Sequence, residues 1–207
     1  MYQRALQGKD KALGAEHTST LVTVGNLGAL YQNQGKLAEA EQMHQRALQG
    51  YEKALGMEHT STLQTVNILG ALYRIQGKLA EAEQMLQRAL QGYEKALGAD
   101  NVTTYIPALK TISNFGSLFE YQSNRAKARI MYSKALIGYE QVVGLHHPSS
   151  RSLRDKLQTL DTVTKDEALK GVEEPVHDSP GETSRLGPGG APSTSKRNRL
   201  LKKLGLR

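Results

Sequence analysis

Six histidines, His17, His44, His59, His146, His147 and His177, are the side chains best suited to hold a metal or move a proton. Their spacing argues against both. No HExxH pair falls on one helix face, and no histidine–carboxylate cluster stands at ligand spacing. His146 and His147 adjoin, but without acidic neighbours. His17 and His59 occur in the same local context, which suits a structural hydrogen bond at a loop. Glu39, Glu41, Glu81 and Glu83 also recur in register and read as a solvated helix face rather than an acid–base pair. Cysteine is absent, which removes thiolate nucleophiles, thiolate metal sites and disulfides. Gly187-Pro188-Gly189-Gly190 has no following helix to make it a phosphate loop, and neither a GxSxG elbow nor a Walker lysine motif occurs. The expectation is no catalysis, no metal and no cofactor.

Basic chemistry is concentrated at one end. The formal charge of the 207 residues is +7, and residues 196–207 account for six of the seven through Lys196, Arg197, Arg199, Lys202, Lys203 and Arg207. The preceding chain is close to neutral, so basicity by itself is no argument for nucleic acid. Leu200, Leu201, Leu204 and Leu206 interleave the charges. The segment suits a nuclear-import signal, an acidic membrane surface or a non-specific nucleic-acid contact. No apolar stretch reaches the roughly 18 residues of a membrane span, and Met1 opens no secretory pattern. The expected location is cytoplasmic, with the basic tail offering the nucleus instead.

The scaffold that must position any binding residues is repetitive, which changes the whole fold expectation. Residues 15–56 and 57–98 are identical at all but seven of 42 positions. A diverged copy fills 99–144 with four extra residues before Gly116. Residues 1–14 match the second helix of a unit, and 145–170 resemble a partial repeat or capping helix. Within a unit, Leu21, Val24, Leu27, Gly28, Leu30 and Tyr31 predict an amphipathic helix over Thr18–Asn33, N-capped by Thr18 or Ser19. After Gly35 a second helix runs from Lys36 to Gly56, with its stripe on Leu37, Ala40, Met43, Ala47, Leu48, Tyr51 and Leu55. Such hairpins bury their apolar faces only against neighbours, so the expectation is an all-α solenoid. Residues 171–195, rich in Pro, Gly, Ser and Glu, should be disordered, making 171–207 a tail with a basic end.

These residues resemble tetratricopeptide repeats. Repeat one supplies Leu27, Gly28, Tyr31, Gly35, Ala40 and Ala47; repeat two supplies Leu69, Gly70, Tyr73, Gly77, Ala82 and Ala89. Repeat three supplies Phe115, Gly116, Phe119, Ala128 and Ala135, with Ser123 in place of the turn glycine. The 42-residue period and the phrases Gly-Lys-Leu-Ala-Glu-Ala-Glu and Ala-Leu-Gly-x-x-His resemble the kinesin-light-chain subtype, which also forms sensor arrays in STAND-type signalling ATPases. The resemblance implies a right-handed superhelix whose first helices line a concave groove for a protein segment, as in a cargo adaptor or a sensor array. The chain departs from the subtype at two points. Its loops read His17-Thr18 and His59-Thr60, and the usual His-Pro survives only as His147-Pro148. The usual Asn-Asn pair is reduced to Gly25-Asn26, Asn67-Ile68 and Ser113-Asn114.

The two near-identical repeats point to the groove. Five of their seven differences, Val22/Gln64, Gly25/Asn67, Asn26/Ile68, Gln32/Arg74 and Asn33/Ile75, lie on the helix face opposite the core stripe. The others are His44/Leu86 in the second helix and Ala15/Met57 in the loop. Tolerance of exposed positions would scatter changes over the outer helix as well. The concentration on one stripe instead suggests a groove diversified on a fixed scaffold. Its continuation in repeat three is Lys110, Ser113, Asn114, Ser117, Glu120 and Tyr121. Amides, hydroxyls and scattered apolar groups suit a peptide better than a phosphate backbone. The expectation is a non-catalytic scaffold for a protein or peptide partner, with tail-mediated nucleic-acid or membrane binding as the alternative class. Leu6 and Leu13, expected to lack a covering helix, add an expectation of self-association or poor solubility, or of origin in a longer array.

Overall fold

Each helix carries one apolar stripe at three- and four-residue spacing, and only pairing removes that stripe from water. The computed structural model describes the backbone of residues 1–170 and the side chains of residues 1–163. Eight α-helices occur among them: α1 (Tyr2–Leu13), α2 (Thr18–Asn33), α3 (Leu37–Leu55), α4 (Thr60–Ile75), α5 (Leu79–Leu97), α6 (Ile106–Tyr121), α7 (Arg125–Val143) and α8 (Pro148–Lys170). The pairs α2–α3, α4–α5 and α6–α7 form hairpins, and neighbouring hairpins pack in chain order. This is an α-solenoid. Met1–Leu160 form one compact unit, and a second begins at Asp161 within α8. The expected disordered tail 171–207, with its basic residues 196–207, lies outside the described residues.

Small residues allow the close approach of helices. Gly50, Gly92 and Gly138, in the second helices, each receive a leucine from the preceding first helix: a Cβ there would stand 2.3 Å from Leu21, 2.2 Å from Leu63 and 2.3 Å from Leu109. Ala40, Ala47, Ala82, Ala89, Ala128 and Ala135 are all buried. Ion pairs repeat between units as well, Asp10–Arg46 being reproduced as Glu52–Arg88 and Glu16–Lys53 as Glu58–Lys95. They are partly or largely exposed, so each contributes at most about 1 kcal/mol.

Several details differ from the sequence expectation. The first-helix cap is the histidine, not Thr18 or Ser19: His17 Nδ1 accepts from the Ser19 N–H at 3.2 Å, and His59 and His147 do the same for Ser61 and Ser149. Thr18 already lies in the helix, so its hydroxyl is past the capping position. Lys36 is the cap of α3, not its first residue. The four extra residues of repeat three do not lengthen a helix, since α6 has 16 residues like α2 and α4. They form a 3₁₀ turn, Asn101–Thr103, that buries Val102 and leads to Tyr105, whose ring meets Tyr93 edge-on at 5.6 Å. Leu6 is buried in the cluster of Leu21, Val24, Leu27, Ala47 and Tyr51, because α1 packs on α2. Leu30 is 36% exposed, whereas its counterparts Leu72 and Leu118 are sealed. They have a full hairpin before them; Leu30 has one helix.

Ser123 sits at φ 58° where Gly35 and Gly77 take 73° and 76°. A Cβ is strained in that conformation. Ser123→Gly is expected to stabilise the chain by about 0.5–1 kcal/mol, the relief of strain exceeding the entropy glycine adds to the unfolded chain. A thermal midpoint unchanged or lowered would count against this.

Candidate partner-binding groove

The first helices lie side by side because each is held by its own second helix and by the second helix that precedes it. Between α2 and α4 they leave a concavity of about 540 Å³. Nine of the sixteen residues expected in the groove line it: Val22, Gly25, Asn26, Gln32, Asn33, Gln64, Asn67, Ile68 and Asn114. Ala29 and Ala71 complete the rim, while Leu21, His44, Ala47 and Tyr51 form its inner wall. No Asp, Glu, Lys or Arg is among the lining residues. A second concavity of about 410 Å³ lies between α6 and the start of α8, lined by Lys110, Ser113, Asn114, Ser149, Ser152 and Lys156 among others. Asn114 borders both, and its Nδ2 donates to Asn67 Oδ1 at 2.9 Å. That bond leaves the Asn67 amide NH₂ as a donor for an occupant.

Five expected groove residues line neither concavity. Ile75 and Tyr121 are exposed, as the face opposite the core stripe requires, but stand near the C-terminal ends of α4 and α6. The Arg74 Nε is buried without a partner. Ser117 and Glu120 are engaged internally: the Tyr132 hydroxyl donates to Glu120 Oε2 at 2.6 Å and lies 2.9 Å from Ser117 Oγ, and Lys156 Nζ donates to both hydroxyls at 3.1 and 3.2 Å. Burial, with Glu120 accepting its proton, pushes the Tyr132 phenol up from its ordinary value. The floor of the groove in repeat three is therefore filled by the chain's own side chains.

His44 is the difference in the second helix that the sequence left outside the groove. It belongs to α3, yet it is 1% exposed and lies beneath Gly28, where a Cβ would come within 2.8 Å of its ring. Leu86 holds the same place under Gly70, and Tyr132 under Gly116. The sixth difference between the near-identical repeats thus belongs to the groove as well. Neither ring nitrogen of His44 has a hydrogen-bond partner, and burial holds the imidazole below its usual value of 6.5. Elsewhere, His147 is occupied by its cap bond and stacks on Tyr139. No three His, Cys, Asp or Glu side chains come together in a metal-binding arrangement among the described residues.

Comparison places this geometry in a family. No curated protein sequence matches the chain. In fold it is similar to crystal structures of BtubC (BKLC) from P. vanneervenii, with a TM-score of 0.60 at 17% identity over 92% of this chain and 78% of that one. It is also similar to a putative kinesin light chain with nearly identical TPR-like repeats from Podosopora anserina, with a TM-score of 0.60 at 20% identity over 83% of this chain and 81% of the other. A single-substitution form of the latter gives 0.61 at the same identity, over 83% and 80%. One tetratricopeptide-repeat model matches residues 1–53 and again 19–95, and a second matches 109–149. With the paired helices, the small residues at their crossings and the repeat models over most of the first 149 residues, the chain belongs to the tetratricopeptide repeat family.

Proposed function

We propose that the chain is a non-catalytic adaptor that holds an uncharged, extended segment of a protein partner in the groove across α2, α4 and α6. Tetratricopeptide repeats are protein-interaction scaffolds, and the observation that carries the finer reading is the groove's composition. Nine of the fourteen residues at the seven positions that differ between the near-identical repeats line one concavity. Amides at Asn26, Gln32, Asn33, Gln64 and Asn67 suit the main-chain N–H and C=O groups of an extended segment, and Val22 and Ile68 suit its side chains. A cargo adaptor or a sensor array, roles implied by the resemblance to the kinesin-light-chain subtype, would both use such a surface. The expected setting is the cytoplasm.

A display library of random twelve-residue peptides tests this. Asn67→Ala is expected to weaken the selected peptides about tenfold, the loss of one to two hydrogen bonds. Deleting residues 196–207 is expected to leave affinity and salt dependence unaltered. Binding that vanishes with that deletion and falls steeply with salt would replace the groove by the basic tail. Self-association belongs to the same proposal, since Leu13 and Leu30 stay exposed. Light scattering that gives a monodisperse monomer at high concentration would remove it.

A further inference from the structure

We infer that His44 is a specificity-determining residue: it makes repeat one accept an uncharged hydrogen-bonding side chain of the partner, Asn, Gln, Ser or Thr, at the floor of the groove. The inference rests on the groove being the partner site and adds which chemistry that site selects.

Three observations carry it. First, the ring is buried and lines the concavity between α2 and α4, yet both nitrogens lack partners. A neutral imidazole offers one donor and one acceptor, and leaving them unpaired away from water is costly. A bound group that pairs with either nitrogen recovers part of that cost. Second, the packing does not need an imidazole. Leu86 fills the equivalent place in repeat two, and the Tyr132 hydroxyl of repeat three is already bonded to Glu120. The unpaired polar floor is peculiar to repeat one. Third, repeat one also has an opening above that floor. Gly25 stands where repeats two and three carry Asn67 and Ser113, and a Cβ on it would meet nothing within 4 Å. The histidine Cβ–Cγ torsion is broad, so a partner group entering beside Gly25 can draw a nitrogen toward it. With no Asp, Glu, Lys or Arg in the lining, no fixed charge there compensates a charged partner side chain.

The same peptide library, selected on wild type and on His44→Leu, provides the test. Wild type is expected to enrich Asn, Gln, Ser or Thr at one position. His44→Leu is expected to bind that peptide at least tenfold more weakly and to prefer Leu or Val there. Gly25→Asn, which restores the residue of repeat two, should weaken the same peptide by closing the opening. Since leucine is native to this place in repeat two, the variant should keep its fold, which thermal unfolding verifies. Imidazole ¹⁵N resonances give an independent readout: those of His44 should shift when the polar peptide binds. A selected peptide indifferent to His44→Leu, with unmoved His44 resonances, overturns this inference alone. A library that yields no binder overturns it together with the groove reading.

Discussion

His44→Leu is expected to raise the unfolding free energy by roughly 1–3 kcal/mol at neutral pH, the cost of a buried polar group without partners. The substitution keeps the apolar packing that Leu86 already demonstrates beneath Gly70. Acid should widen the gap. Burial holds the folded-state imidazole below 6.5, so under acidic conditions the unfolded chain binds a proton at this site that the folded chain resists. The stabilisation that comes from keeping His44 neutral is complete above pH 6.5 and declines as pH falls below it. The limiting slope is about 1.4 kcal/mol per pH unit. Denaturant unfolding of both proteins at pH 7.5 and 5.5 checks this, and a stability difference that does not grow on acidification would refute the assignment to His44. Gained stability with lost peptide binding would mark the histidine as kept for recognition at the expense of stability.

Gly138→Ala should be the most damaging of the alanine substitutions at the second-helix glycines Gly50, Gly92 and Gly138. Its new Cβ would stand 2.4 Å from the Thr103 carbonyl oxygen as well as 2.3 Å from Leu109. A leucine methyl can rotate away; a carbonyl held in the 3₁₀ turn moves only with the backbone. Overpacking of this kind costs about 1–3 kcal/mol, more than the helix propensity alanine adds. Gly50→Ala and Gly92→Ala meet only leucine side chains and should cost less. Gly8→Ala, within α1 and with nothing in reach, is the control and should stabilise by about 0.5–1 kcal/mol. Thermal midpoints ordered Gly8→Ala, Gly92→Ala, Gly138→Ala from high to low are the expected result. A Gly138→Ala variant as stable as the Gly8→Ala control would show that the turn yields.

The helices were legible because their apolar positions keep one period through every copy: α2 spans the residues that Leu21, Val24 and Leu27 mark out. The groove was partly legible because two copies share a core, which turns each difference into a pointer. His44 escaped because its type suggests a surface. It nonetheless stands four residues after Ala40 and three before Ala47, on the buried stripe, and Leu86 in the copy repeats the hint. Gly50 and Gly92 carried a signal too, since a mid-helix glycine that recurs with its neighbours is retained against its own propensity. The 3₁₀ turn and the unequal burial of Leu30 and Leu72 depend on what packs alongside. No local pattern records that. The recurrence of His17 and His59 already pointed to their hydrogen bonds at the loop; that the bonds cap the first helices was hidden, because histidine is not among the residues usually favoured there.

The interchangeable cradles of Leu21 on Gly50 and Leu63 on Gly92 pose a problem of register to the folding chain. Leu21 would fit Gly92 as well as it fits Gly50, so α2 can in principle dock on α5 and loop out everything between. The leucine-on-glycine contact is the same in kind in the native cradle and the slipped one, and chain entropy favours the native one. Closing a three-residue turn instead of a loop of some forty-five residues favours the native partner by about 2 kcal/mol. Nearness along the polypeptide, more than the shape of the interface, tells these two repeats apart.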